Sequence, residues 1–247
     1  MTSRAERPRR RASAWQVLGE VILTVGVLCG LFVVWQVFIN NEVSGTLQHA
    51  ASDSLSKQWA AETPAPGASS TAEATVPVIA SKPAADAAFA NLIVPRFGAD
   101  FSRPISQGVG FSVLNNVSKG IGHYVESALP GQVGNFAIAS HRSAYGGAFH
   151  LIHHLRVGDP IYIETQDGWY EYSYRDTEYV LPTGVGVVAA VPQSPDATPA
   201  QRLLTMTTCN PFYSSAERMA AYAVFQKFYP RADGPPADIA AVAKASS

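Results

Sequence analysis

Cysteine is the scarcity that matters most here: the 247 residues contain two. Cys29 lies inside an N-terminal apolar run, so Cys209 has no partner downstream. The region after the run cannot be held by an internal disulfide and must rest on its own core. Charge is also sparse. Only 15% of the residues are charged and the formal net charge is -1, which leaves no basic footprint and argues against a nucleic-acid partner. Asp159, Glu164 and Glu171 form no dense acidic cluster. His150 and His154, four apart with His153 between them, meet no third ligand at a recognisable spacing, so neither a metal nor another cofactor is expected. After the N-terminal run there is no further segment apolar and long enough to cross a bilayer.

That run is the first positive feature. Arg4, Arg7, Arg9, Arg10 and Arg11 precede an apolar segment over residues 21–39, softened by Thr24, Gln36 and a few glycines. At a rise of about 1.5 Å per residue it covers roughly the ~30 Å hydrocarbon core of a membrane. No small-x-small cleavage site follows it, so an uncleaved signal anchor is expected rather than a signal peptide. By the positive-inside rule residues 1–20 are expected to be a basic cytoplasmic terminus and everything after residue 40 to be exported across the plasma membrane. Residues 40–88 read as a juxtamembrane segment and linker. Val43, Leu47, Leu55 and Trp59 have partly helical spacing, and from 62 onward Ala, Pro, Ser and Thr dominate, a composition that buries too little to order itself. The globular domain is expected over 89–231, followed by a loose tail over 232–247.

Inside the domain the pattern is mainly β. Strands are expected over 135–140, 160–165, 169–174, 177–181, 185–191, 203–208 and 218–225, with Asp167-Gly168 as the strongest hairpin signal. Such short, regularly spaced strands predict an antiparallel closed barrel with short helices. The one stretch with helical spacing is 148–155, with Phe149, Ile152 and Leu155 on one side.

Cys209 ends the 203–208 strand, and Asn210-Pro211 breaks the strand right after it. A thiol at a strand exit is a candidate nucleophile, where one in mid-strand would be packing. Among the histidines, His49 lies outside the expected domain, and His123 sits in a glycine-rich stretch with no strong argument either way. His141 leaves the 135–140 strand as Cys209 leaves its own. Two reactive side chains at strand ends in a rigid barrel can be held face to face, as acyl transfer requires.

These residues resemble a known family, the sortases. Thr205-Met206-Thr207-Thr208-Cys209 is similar to that family's Thr-Leu-Thr-Thr-Cys strand. Ala139-Ser140-His141-Arg142 is similar to its histidine segment, with Ser140 where the family has glycine, and Arg218, nine residues past the cysteine, stands at its third catalytic position. The resemblance implies a closed eight-stranded sortase-type β-barrel and a membrane-anchored cysteine transpeptidase. Cys209 would be the nucleophile, His141 the proton carrier and Arg218 a donor to the oxyanion, with Tyr124 and Thr208 as substrate contacts. It also implies the partners: exported proteins bearing a C-terminal sorting signal, and an amine of the peptidoglycan precursor. The stretches Gly120-Ile121-Gly122-His123-Tyr124 and Ala128-Leu129-Pro130-Gly131 resemble class E sortases. There a tyrosine at the place of Tyr124 implies a preference for Leu-Ala-X-Thr-Gly over Leu-Pro-X-Thr-Gly. A pilin-polymerising sortase is the alternative, but its Asp-Pro-aromatic lid motif is lacking. A non-catalytic wall-binding module would be natural had Cys209, His141 or Arg218 been replaced. A peptidoglycan L,D-transpeptidase would need Ser-His-Gly-Cys, and here Thr208 precedes the cysteine.

Overall fold

A computed structural model describes residues 13–35, 39–62, 76–79 and 81–240. The chain divides into two compact units, Met1–Ile39 and Asn40–Ser247. In the first, α1 (Ala14–Val34) has a mean hydropathy of 2.5 and no buried residue; it is the one described helix long and apolar enough to cross a membrane. It begins earlier than the expected 21–39 segment, because Ala14-Trp15-Gln16 extends the helix beyond the apolar stretch. Residues 36–38 and the arginine cluster lie outside the described residues, as do most of the linker and the last seven residues.

In the second unit eight described strands close into a barrel in the order β1-β2-β3-β4-β7-β8-β6-β5. They are β1 (Ala88–Ile93), β2 (Ser102–Gln107), β3 (Ile121–His123), β4 (Gly134–Ser140), β5 (Pro160–Thr165), β6 (Gly168–Val180), β7 (Arg202–Asn210) and β8 (Glu217–Pro230). Two adjacent pairs, β2–β3 and β4–β7, run parallel, so the barrel is mixed rather than wholly antiparallel as expected. The expected hairpin is present. Thr165 pairs with Gly168 across a two-residue turn, and Gly168, at φ +147°, packs so closely on the Tyr229 carbonyl that a methyl group there would overlap it.

Period-two alternation builds the core. Phe136 and Ile138 of β4, Leu204 and Met206 of β7, and Met219, Ala221 and Ala223 of β8 point inward with Leu92, Ile105, Ile121, Ile161 and Ile163. Alternate residues of the same strands therefore face outward.

Several local expectations change. The 169–174 and 177–181 strands are one 13-residue strand, β6, with a register shift between Tyr174 and Asp176 where the sequence turns polar. Residues 185–191 are not a strand: Gly184 caps a short 3₁₀ turn (Val185–Val188) that contains Gly186, and the Gly186 carbonyl accepts from the Gln193 N–H. No α-helix forms over 148–155. After Gly146 and Gly147 the chain makes turns and a 3₁₀ helix (Ile152–His154), although Phe149, Ile152 and Leu155 enter the core as their spacing implies. The tail docks as far as it is described. Ile239 is fully buried with Ile93, Tyr162 and Trp169, and Tyr162 donates to Asp238 at 2.6 Å.

The juxtamembrane helix α2 (Asn40–Glu62) packs on β1, β2 and β5, and its buried face is Ser44, Gly45, Gln48, Ser52 and Trp59. Val43 and Leu47, whose spacing suggested the helix, remain exposed. The seam is polar because the barrel side is polar. Asn91 Nδ2 donates to the Ser52 carbonyl at 3.1 Å and to Glu164 at 3.0 Å, Ser56 donates to Glu164 at 2.5 Å, and Ser52 and Ser102 share a short hydroxyl contact.

Candidate active site

The site is assembled by strand register. On β7 and β8, Cys209 pairs directly with Arg218. On β4 and β7, Ala139 pairs with Thr207, so two residues later the parallel strands deliver His141 and Cys209 at one edge, on the outward face. Behind this row, the residues paired across five strands are Gly122, Ala139, Thr207, Ala220 and Glu178, a floor that is small in its middle.

Two elements cover the floor. Tyr124, beside Ala137 through its N–H, places its hydroxyl 3.0 Å from Thr207 Oγ1. On the other side the segment joining β6 to β7 is tied down by Asn135, which donates to the carbonyls of Val187 at 3.3 Å and Ala189 at 3.0 Å. Gln193 donates to Glu178 at 2.7 Å, and so does Tyr222. Ala220 is consequently buried, whereas His141, Cys209 and Arg218 at the open end are half-buried.

His141 is oriented by Asn115: Nε2–H donates to Oδ1 at 2.8 Å, which leaves Nδ1 with the ring's lone pair. Burial pushes the imidazole pKa below its ordinary 6.5, so the neutral ring prevails at pH 7. The Tyr145 ring lies 5.3 Å away. Arg218 Nη1 donates to the carbonyls of Ser215 at 2.9 Å and Glu217 at 3.0 Å, which fixes the guanidinium beside the thiol strand. A polar chain links the neighbours of all three residues. Arg142 donates to Asn210 Oδ1, Asn210 Nδ2 donates to Glu217 at 2.8 Å, and the Arg142 guanidinium stacks 4.0 Å from the centre of the Phe212 ring.

Of the residues singled out from the sequence, register brings His141, Cys209 and Arg218 to one edge with Tyr124 nearby. Thr208 is different. It points inward, is 3% exposed and donates to the Ser140 carbonyl at 2.8 Å, so its hydroxyl holds the end of β4, and the outward hydroxyl beside Tyr124 belongs to Thr207. His123, placed in a loop by its glycine neighbours, is an inward strand residue. Its Nδ1 lies 2.7 Å from Gln107 Oε1 and its ring stacks on Phe136, and burial lowers its pKa to about 4. Asn115 and Asn135 carried no recognisable signal, since a turn asparagine and a strand asparagine acquire their roles only from what folds against them. Among the described residues no group of three or more His, Cys, Asp or Glu could hold a metal ion.

Known proteins resemble this chain in sequence and in fold. Residues 92–226 match the sortase domain. The chain is 31% identical to Sortase SrtE2 of Streptomyces coelicolor over 237 residues, covering 87% of this chain and 85% of that one. It is 31% identical over 241 residues to Sortase SrtE1 of the same organism, covering 95% of this chain and spanning 63% of that relative's length. Among solved structures, SrtA sortase from Actinomyces oris superposes with a TM-score of 0.63 at 34% identity, covering 67% of this chain and 94% of that one. Sortase E1 from Streptomyces coelicolor, solved with a tripeptide in its active site, gives 0.56 at 33% identity, covering 62% and 96%. The chain belongs to the sortase family of cysteine transpeptidases, in its class E.

Proposed function

We propose that this chain cleaves a sorting signal near the C-terminus of an exported protein between Thr and Gly and joins the new carboxyl end to an amine of the peptidoglycan precursor. The observation that carries the reading is the edge row: Cys209 registered against Arg218, with His141 delivered beside them by the parallel strand β4. As the signal binds, Nδ1 of neutral His141 takes the thiol proton and Cys209 Sγ attacks the Thr carbonyl carbon. Arg218, whose guanidinium stays charged, donates to the oxyanion with nitrogens other than the Nη1 used by Ser215 and Glu217. The C–N bond breaks, the imidazolium protonates the departing glycine amine, and a thioacyl-enzyme remains. The acceptor amine then attacks the thioester, its proton passes through His141, and the thiolate leaves.

Tyr124, held by Thr207, lines the subsite for the second signal residue, where its ring takes the space a proline would need. This favours Leu-Ala-X-Thr-Gly. Thr208 acts on substrate indirectly, by fixing Ser140 and with it the start of the His141 loop. The apolar helix α1 serves as a single-pass anchor in the plasma membrane, the arginines before it holding the N-terminus in the cytoplasm and the barrel on the wall side. The test is to incubate the enzyme with a Leu-Ala-X-Thr-Gly peptide and weigh it: an acyl adduct on Cys209 that a small amine discharges is expected. Turnover in Cys209→Ala would overturn the reading.

A further inference from the structure

The helix that follows the apolar segment in the chain grips the loop that follows His141. Asn41 and Gln48, two turns apart on one face of α2, both hold that loop. Asn41 donates to the Ser143 carbonyl at 3.0 Å and accepts from the Gly146 N–H at 3.4 Å, while Gln48 Nε2 donates to the Tyr145 carbonyl at 2.8 Å. The Tyr145 ring in turn lies 5.3 Å from that of His141.

The other support of His141 reaches the same side chain. Asn115, which receives the Nε2–H, begins the turn that ends at Gly120, and the Gly120 carbonyl accepts from Ser140, the residue before His141, at 2.7 Å. Gly120 lies so close on the Gln48 amide that an added methyl would overlap it, and a methyl at Gly146 would come within 2.9 Å from the other loop. Both glycines have positive φ, +78° and +85°, a conformation that other residues rarely adopt. Two loops from different parts of the chain thus close over one amide.

That amide is expensive. Gln48 is fully buried, yet its Oε1 has no hydrogen-bond partner among the described residues. A buried acceptor without a partner lowers stability, while the Nε2 bond to the Tyr145 carbonyl offsets part of that loss and ties α2 to the loop after His141.

We infer that Gln48 is a positioning residue for His141, joining the 143–146 loop to the Asn115–Gly120 turn so that the imidazole stays aimed at Cys209. The inference rests on the reading of His141 as the proton carrier. Angular or positional release of a reacting group by about 1 Å can lower rates by 10²-fold.

The experiment uses the full-length protein in detergent micelles, with Gln48→Met, which keeps length and removes the amide, and Gln48→Asn, which keeps the amide and shortens its reach. Each is assayed with a Leu-Ala-X-Thr-Gly peptide and an amine acceptor, and Cys209 alkylation by iodoacetamide is followed in parallel. A drop in kcat of about 10- to 100-fold is expected, with KM within about threefold and Tm within a few degrees. In a His141→Ala background Gln48→Met should leave the Cys209 alkylation rate unchanged, because the two substitutions act through one imidazole. A folded Gln48→Met enzyme with wild-type kcat would overturn the positioning role, and so would loss of the cooperative unfolding transition in both variants, which would make Gln48 a stability residue. Wild-type activity in His141→Ala itself would instead overturn the functional reading on which the inference stands.

Discussion

The inner and outer faces of β4, β7 and β8 share one backbone and one hydrogen-bond ladder, yet they are built to different standards. The inner face carries Phe136, Ile138, Leu204, Met206 and Met219, and their requirement is shape: they fill the barrel, and a side chain of similar volume would serve. The outer face carries small residues, Ala137, Ala139, Thr207 and Ala220, and ends in His141, Cys209 and Arg218. Its requirement is position. A strand with period two separates these demands by one residue, so the rigidity of the inner set is passed to the outer set without either touching the other's chemistry.

The comparison breaks if outer substitutions unfold the protein or inner ones spare the fold and abolish chemistry. The largest effect is expected at Cys209→Ala: transpeptidation should fall by roughly 10⁴-fold or more with a cooperative unfolding transition close to that of wild type, measured by peptide turnover and thermal denaturation on one preparation. His141→Ala should lose nearly as much.

Leu204→Ala is the inner counterpart. It removes a fully buried side chain and should lower stability by about 2–5 kcal/mol in denaturant titrations, while the fraction that remains folded keeps its kcat. A change in kcat per folded molecule as large as that of Cys209→Ala would show that the faces are not separable.

Arg218→Lys keeps the charge and loses the planar fork, and kcat/KM should fall by about 10²-fold. Wild-type kcat/KM in this variant would mean that a positive field is sufficient. At the covered end of the outer face, Tyr124→Ala should narrow or invert the preference for Leu-Ala-X-Thr-Gly over Leu-Pro-X-Thr-Gly, which in wild type is expected at roughly 10- to 200-fold. An unchanged ratio would leave Tyr124 as a packing residue over Thr207.

The smallest effect sharpens the comparison through two histidines. His123 faces inward and burial lowers its pKa to about 4, so the folded state stays neutral there while the unfolded chain protonates below about 6.5. The unfolded state then binds more protons, and this group's contribution to stability should decline as pH falls from about 6.5 to 4, by a few kcal/mol at most, on the order of 3. His141, also lowered by burial, should place the acidic limb of kcat/KM below pH 6.5. Stability profiles of wild type and His123→Asn would separate the two: a slope over pH 4–6.5 as steep in the variant would remove His123 as its cause.

Much of this was legible in residue order. The Thr205–Cys209 segment, the strand ahead of His141 and the hairpin signalled by Asp167-Gly168 are local patterns, and each formed close to where alternation and turn chemistry placed it. What escaped was decided by neighbours distant in sequence. β2, with its run of Ser, Arg, Pro and Gln, carries little apolar alternation and is a strand because β1, β3 and α2 cover it. The 185–191 run has strand-forming residues but lies over a sheet face that Asn135 anchors through backbone carbonyls, so it turns.

The sequence by itself determined the candidate reactive set, the apolar N-terminal segment, the β class and the family, because each depends on residue type and short-range spacing, and spacing along a strand maps directly onto faces. Only the tertiary structure decided which hydroxyl meets Tyr124, that Asn115 chooses the tautomer of His141, and that a helix with polar residues on its buried face belongs against the barrel. Hydrogen bonds between segments far apart in the chain leave no periodic trace in either partner, and a buried polar side chain reads as a solvated one until the fold brings its partner to it.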